Sequence, residues 1–308
     1  MMTKKTETRI LSSDNKTSLH VVEWIPDGEI KGTLEIVHGM VEFIDRYDRF
    51  GRFISENGYA VIGYDQLGHG ETAPDEDSLG YIGSPHPELL LIEDVQKVRE
   101  YIDEKYGSCR HYILGHSMGS FVVEAYLMKY GKGLDGAIIS GTGYQSTAKL
   151  DAGLLLTDII SLFRKDTYRS GFINDMALGS YNKSFEPART KNDWLTKDEE
   201  IVDRYCEHPW DNFVFTLNGY RAVFRLMKLA GNRKGMKNIP KDLKIFLLSG
   251  EDDPVGNFGE APRKFWELYQ KCGIEDIYIR IYENDRHECL NETDHETVYN
   301  DILEWLED

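Results

Sequence analysis

Five residues constrain this chain more than any others: Gly115-His116-Ser117-Met118-Gly119. They follow the apolar run Tyr112-Ile113-Leu114 and lead into Phe121-Val122-Val123-Glu124-Ala125-Tyr126-Leu127, which reads as a helix. A G-x-S-x-G pentapeptide between strand and helix predicts a sharp turn that lifts the serine clear of both. A serine hydroxyl is a weak nucleophile until it is exposed, aligned and given a base. Glycines two residues either side of Ser117 remove the Cβ atoms that would collide where strand and helix close on each other.

The surrounding pattern supplies the rest of such a unit. Leu19 to Trp24 and Thr33 to Val37 read as strands, with Pro26-Asp27-Gly28 as a turn between them. Tyr47 to Glu56 has Phe50, Phe53 and Ile54 at helical spacing, and Asn57-Gly58 ends it. A short strand at Ala60 to Tyr64 precedes Asp65-Gln66-Leu67-Gly68-His69-Gly70, and Leu90 to Tyr106 is a helix with Ile92, Val95, Val98 and Ile102 on one face. Ala137 to Ile139 is a further buried-type strand. The alternation stops near Gly143 and resumes with a strand at Lys244 to Leu248, a helix at Ala261 to Lys271, a strand at Ile277 to Tyr282 and a helix at Glu296 to Leu306. This predicts an α/β fold: a mostly parallel sheet with helices on both faces. The expected division is a core from residues 1–144 and 235–308, and an inserted, mainly helical segment at 145–234.

Charge follows the same boundaries. The chain carries −17 overall, yet residues 145–235 hold 14 Lys/Arg against 12 Asp/Glu. The plain reading is two differently solvated surfaces; the functional one is an insertion that tolerates an anionic head group or an interface. The acidic total argues against a nucleic-acid partner held by a broad basic surface. Cys109, Cys206, Cys272 and Cys289 are too scattered for a C-x-x-C site and read as reduced thiols. Met1 to Arg9 is basic without an apolar stretch behind it, and no apolar run approaches bilayer length, so the expectation is a cytoplasmic protein.

An activated serine needs a base, a carboxylate to orient that base, and donors for an oxyanion. In a strand–elbow–helix fold these follow in the order Ser, acid, His. Leu247-Leu248-Ser249-Gly250-Glu251-Asp252-Asp253-Pro254 places acids after a late strand. Asp253 is preferred because Pro254 restricts it to extended geometry, with Asp252 the alternative. His287 follows the last strand, whereas His295 opens the final helix and reads as a surface residue. The oxyanion donors are the backbone N–H groups of Met118, after the serine, and Met40, at the end of Glu35-Ile36-Val37-His38-Gly39-Met40.

These segments together resemble the α/β-hydrolases of the monoacylglycerol lipase and lysophospholipase type, which are themselves similar to serine aminopeptidases of the proline iminopeptidase group. The matching residues are His38-Gly39-Met40-Val41-Glu42 with Arg46-Tyr47, Asp65 to Gly70, the Gly115–Gly119 elbow, Gly250 to Pro254, and Arg286-His287-Glu288. The resemblance implies Ser117, Asp253 and His287 as a triad, Met40 and Met118 as oxyanion donors, and residues 145–234 as a cap over an acyl pocket. Phe43 departs from the pattern, which often has a second histidine there.

The expected function is hydrolysis of a small-molecule carboxylic ester, a monoacylglycerol or lysophospholipid, through an acyl-serine, with no metal or organic cofactor. His287-Glu288 and His295-Glu296 do not make the H-E-x-x-H zinc pattern. One alternative is an aminopeptidase for N-terminal proline, which needs a carboxylate such as Glu186, Glu199, Glu200 or Glu207 for the substrate ammonium. Another is a non-catalytic ligand-binding relative. In the insertion, Leu154-Leu155-Leu156, Ile159, Ile160, Leu162 and Phe163 precede Arg164-Lys165. They read as ordinary packing onto the core or, alternatively, as an amphipathic element for transient lipid contact without stable membrane insertion.

Overall fold

Short runs of β-branched and aromatic residues become the strands of one sheet. In this computed structural model, which describes residues 3–107 and 109–308, they are β1 (Thr3–Leu11), β2 (Ser18–Pro26), β3 (Gly32–Val37), β4 (Tyr59–Tyr64), β5 (Arg110–His116), β6 (Gly136–Ser140), β7 (Lys244–Gly250) and β8 (Ile277–Tyr282). Their order is β1-β2-β4-β3-β5-β6-β7-β8, with β1, β2 and β4 antiparallel and every later pair parallel. Sequence patterning foresaw all but β1. Thr3 to Leu11, whose first residues read only as a basic stretch with no apolar run behind it, forms that edge strand; Met1 and Met2 lie outside the described residues. β1 alternates half-buried and exposed side chains and is largely polar, so it carries no run of apolar residues to announce it. The Pro26-Asp27-Gly28 turn joins two strands that are not neighbours, since β4 lies between β2 and β3.

Side chains alternate between the faces of the sheet and build two cores. In β4, Ala60 and Ile62 face α2 (Pro87–Tyr106), α3 (Met118–Tyr130) and α9 (Glu260–Lys271). Tyr59 and Val61 face α1 (Asp48–Glu56) and α10 (His295–Glu307) instead. β7 divides the same way, with Ile245 and Leu247 on the first face and Phe246 and Leu248 on the second. Burial on both faces explains why the central strands read as continuous apolar runs. Between β6 and β7 the chain leaves the sheet and forms α4 (Thr147–Ser161), α5 (Gly171–Leu178), α6 (Glu199–Glu207), α7 (Leu217–Ala230) and α8 (Arg233–Met236). Of these, α7 packs against α3 and α4.

The parallel strands end together, so the loops after β3, β5, β7 and β8 converge at one edge. That convergence depends on how closely α3 approaches β3. A Cβ on Gly119 would overlap the carbonyl oxygens of Val37 and His38, and one on Gly115 would overlap the Gly119 carbonyl. Backbone atoms cannot give way as a flexible side chain can. Gly119→Ala is therefore expected to cost about 1–3 kcal/mol or more, read as a lower denaturation midpoint in urea.

Candidate active site

The elbow is strained as well as tight. Ser117 has φ 51° and ψ −117°, outside the regions that L-residues favour. Its N–H donates to the Ser140 carbonyl at 2.9 Å, which ties the turn to the end of β6. Ser120 Oγ donates to the Ser117 carbonyl at 2.6 Å. With the backbone so fixed, Ser117 Oγ stands 2.9 Å from His287 Nε2. His287 Nδ1 is 3.0 Å from Asp253 Oδ1. The structure thus brings Ser117, Asp253 and His287 into one hydrogen-bonded chain. Asp252, the alternative acid, makes no such contact: its N–H donates to the Asp285 carbonyl. His295 sits away from this chain, its Nδ1 2.8 Å from the Glu292 carbonyl oxygen.

Each member is held from behind. Asp253 is fully buried; its Oδ1 also accepts the Val255 N–H at 2.8 Å, and its Oδ2 the Ser249 hydroxyl at 3.4 Å. The insertion anchors the histidine loop. Glu288 N–H donates to the Leu195 carbonyl at 2.8 Å, and Arg286 reaches the carbonyls of Asp193 and Thr196. The Trp194 ring lies 5.1 Å from that of His287. Sequence reasoning gave Trp194 no particular place, and no local pattern marks it.

The loop after β3 is braced by Asp65 to Gly70. Gln66 N–H donates to His38 Nε2 at 3.0 Å, so His38 carries its proton on Nδ1 and donates to the Gly39 carbonyl at 2.8 Å. Gln66 Nε2 donates to the His38 carbonyl, and Asp65 Oδ1 accepts the Ile44 N–H. Val41 N–H points to His69 Nε2 at 3.4 Å. This bracing places Met40 beside the elbow; Met40 and Met118 both line the cavity that holds Ser117. Met118 opens α3, where backbone N–H groups have no partner within the helix.

A buried charge cluster joins these loops. Arg46, its side chain 9% exposed, grips Glu288 with two hydrogen bonds of 2.8 and 2.7 Å and Glu42 with one of 3.0 Å. Asp211 of the insertion lies 3.8 Å from Arg46, and the Tyr205 ring sits 5.0 Å from its guanidinium carbon. Glu42 in turn accepts from Gly39 N–H and the Tyr47 hydroxyl. Burial raises the carboxyl of Glu42 against the pull of Arg46, while the paired Arg46 fork overcomes burial and keeps Glu288 low. The i,i+4 spacing of Glu42 and Arg46 was the one local signal of this cluster. Phe43, where the family pattern often has histidine, stacks on His208 at 4.6 Å and meets Trp210 edge-on at 5.2 Å.

The cavity above Ser117 measures about 320 Å³. Apart from the polar groups near the serine and Gln145 and Lys149 it is mainly apolar, with Leu150, Leu156, Met176, Val223, Phe224 and Met227 among its walls. All six come from the insertion. Such a chamber suits a small ligand held by burial, oriented by a few polar atoms at one end.

Comparison with known proteins agrees with this architecture. The family model described as serine aminopeptidase, S33, matches residues 28–294. A monoacylglycerol lipase of Mycolicibacterium smegmatis is 21% identical over 92% of this chain and 90% of its own length. A monoglyceride lipase of Saccharomyces cerevisiae is 24% identical over 91% of this chain and 85% of its own. Among solved structures, a thermostable carboxyl esterase from Bacillus coagulans in complex with glycerol superposes with a TM-score of 0.91, at 24% identity and 98% coverage of both chains.

Two measurements check the electrostatics. Burial, with the unfavourable influence of neighbouring imidazoles and of Arg46, pushes His38 well below the ordinary imidazole range and His116 to about 3; burial pushes His69 to about 4. Burial acts on His287 too, but the charge and hydrogen bond of Asp253 outweigh it and raise that group. Ring signals in an NMR titration should show His287 protonating above about pH 6.5 while the other three stay neutral. Asp253→Asn should move His287 downward. Because His38, His69 and His116 are depressed, their share of stability is present above the unfolded value and lost as pH falls below it. Arg46→Ala should cost about 3–5 kcal/mol, since it leaves buried carboxylates without their cation; the shift of the denaturant midpoint reads this directly.

Proposed function

Because the chain belongs to the serine aminopeptidase S33 family, with the α/β-hydrolase fold, we propose that it is a carboxylic ester hydrolase acting through Ser117 on a monoacylglycerol-class lipid. The observation that carries this reading is the Ser117–His287–Asp253 chain, set at 2.9 and 3.0 Å on a strained turn. A pure ligand-binding protein has no use for a serine so activated.

Ser117 Oγ attacks the ester carbonyl while His287 Nε2 takes its proton. Asp253 holds the tautomer with Nδ1–H facing it and stabilises the imidazolium. The N–H groups of Met40 and Met118 receive the oxyanion. His287 then protonates the departing alcohol, leaving an acyl-serine. Water, deprotonated by His287, attacks that acyl group and releases the acid, restoring Ser117. No step in this scheme calls on a metal or organic cofactor.

Residues 145–234 act as the cap that selects the acyl chain, since they supply the apolar walls. On α4, Leu150 packs inward, while Leu155, Ile159, Leu162 and Phe163 in and just after the helix stay exposed, as does Phe172 of α5. Packing therefore accounts for only part of this apolar element, and the remainder supports transient contact with a lipid surface. An aminopeptidase reading needs a free carboxylate for an ammonium. Glu42 and Glu288 line the cavity but are both held by Arg46, and Glu186, Glu199, Glu200 and Glu207 do not line it. Lysophospholipid remains a second reading because Lys149 lines the cavity.

A fluorophosphonate should label the wild-type protein and fail to label Ser117→Ala. Hydrolysis of monoacylglycerol should fall by roughly 10⁴-fold or more in that variant. In wild type, kcat/KM should fall as pH drops through the raised pKa of His287, because only the neutral ring accepts the serine proton. Lysophospholipid turnover lost in Lys149→Ala, with monoacylglycerol turnover kept, would favour the second reading. Turnover of a proline amide without any ester hydrolysis would overturn both.

A further inference from the structure

Away from the serine, we propose that His20, Glu7 and Glu71 form a binding site for a divalent transition-metal ion of the Zn²⁺ class, stapling the β1–β2 hairpin to the loop after β4. The β1–β2 register pairs Arg9 with His20 and Glu7 with Val22, so Glu7 is a diagonal neighbour of His20. Glu71 comes from the loop after β4, positioned by its N–H donating to Asp65 Oδ2 at 2.8 Å. The three donor atoms converge: His20 Nε2 lies 3.5 Å from Glu7 Oε2 and 4.0 Å from Glu71 Oε2.

The histidine is what distinguishes this group from a chance gathering of acids. His20 is 5% exposed, and its Nε2 has no hydrogen-bond partner among the described residues. Its other nitrogen, Nδ1, is 2.9 Å from Oδ2 of the buried Asp65. A carboxylate on one ring nitrogen and a metal on the other is the arrangement that orients a histidine ligand and raises its basicity. Zinc ligands at about 2.0–2.1 Å in a tetrahedron lie about 3.3 Å apart. The observed spacing therefore needs only small rotations of Glu7 and Glu71, both exposed, with Glu71 shifting against its ion pair to Arg9. A proton on Nε2 serves less well, because 3.5 Å to Glu7 is beyond a good hydrogen bond.

The local field favours a cation. Although burial opposes it, the hydrogen bond and charge of Asp65, the charge of Glu71 and the nearby Glu7 carboxylate raise the His20 imidazole above its ordinary range. One cation is already nearby: Arg9 Nη2 pairs with Glu71 Oε2 at 3.0 Å. That pair is exposed and weak, so Arg9 competes with a metal without excluding it. Among the described residues one other such grouping exists, Asp285, Glu292 and Asp294. There Lys197 Nζ already stands 2.7 Å from Asp285 and within 4 Å of the other two, and supplies the positive charge.

Titration calorimetry of the full chain with Zn²⁺ at neutral pH tests this. One saturable ion per chain is expected, with a rise in Tm that grows with free Zn²⁺. Glu7→Gln/Glu71→Gln should weaken binding by about tenfold or more, and both positions are exposed, so the variant folds. His20→Gln should abolish binding, and Arg9→Ala should tighten it severalfold by removing the competing cation. Co²⁺ should give visible bands of a tetrahedral N/O site without thiolate charge transfer. Absence of saturable binding overturns the proposal and leaves His20 as an imidazolium in an ion-pair cluster only. So does binding that is unchanged in the Glu7/Glu71 variant, or a Co²⁺ spectrum dominated by thiolate.

Discussion

The buried guanidinium of Arg46 is the interaction on which the geometry of the site depends. It holds Glu42, whose carboxylate accepts from Gly39 in the loop after β3, and Glu288, which follows His287. It also faces Asp211 and the Tyr205 ring in the insertion. Three segments far apart in the chain are thereby set against one cation. The order of strengths follows from geometry: the two-pronged contact with Glu288 is the strongest, because planar fork and carboxylate match. Glu42, held by a single arm and surrounded by donors, is the partner that burial pushes upward. An ion cluster of this kind adds little net stability over an apolar core, but it punishes any rearrangement that leaves a charge alone.

The same low-polarity surroundings sort the histidines. His38, His69 and His116 are buried near the site without a carboxylate hydrogen bond, and they stay neutral. As neutral rings, His38 and His69 serve as fixed donors and acceptors that brace the loop after β3. His287 is as deeply buried but has Asp253 at 3.0 Å, so its cationic form is stabilised. One carboxylate thus separates a ring that can carry a proton from three that stay neutral. The site has two supports, a charge cluster on one side and a neutral histidine network on the other, and both act on the loop that carries Met40.

The sheet was legible because its central strands are buried on both faces and show as apolar runs between turn signals. β1 was missed because an edge strand needs no such run, and Thr3 to Leu11 alternates polar residues instead. Ser117, Asp253 and His287 could be picked out because each ends a recognisable strand in the order that the elbow demands. Pro254 favoured Asp253 over Asp252, and the structure places Asp253 on the histidine. Trp194, Leu195 and Asp211 had no such marker. Their contacts join residues of the insertion to loops after β3 and β8, and nothing in the local sequence of either partner encodes the pairing.

By itself the sequence determined the elbow, the alternation of strands and helices, and which serine, aspartate and histidine to look for at the strand ends. These are local matters: steric demands at Gly115 and Gly119, apolar periodicity, and residue chemistry at strand ends. Tertiary structure alone decided which carboxylates surround Arg46, which histidines stay neutral, and how the insertion closes an apolar chamber over Ser117. It also decided that Glu7, His20 and Glu71 meet. Such features depend on burial and on distances between remote segments, and those exist only once the chain has packed.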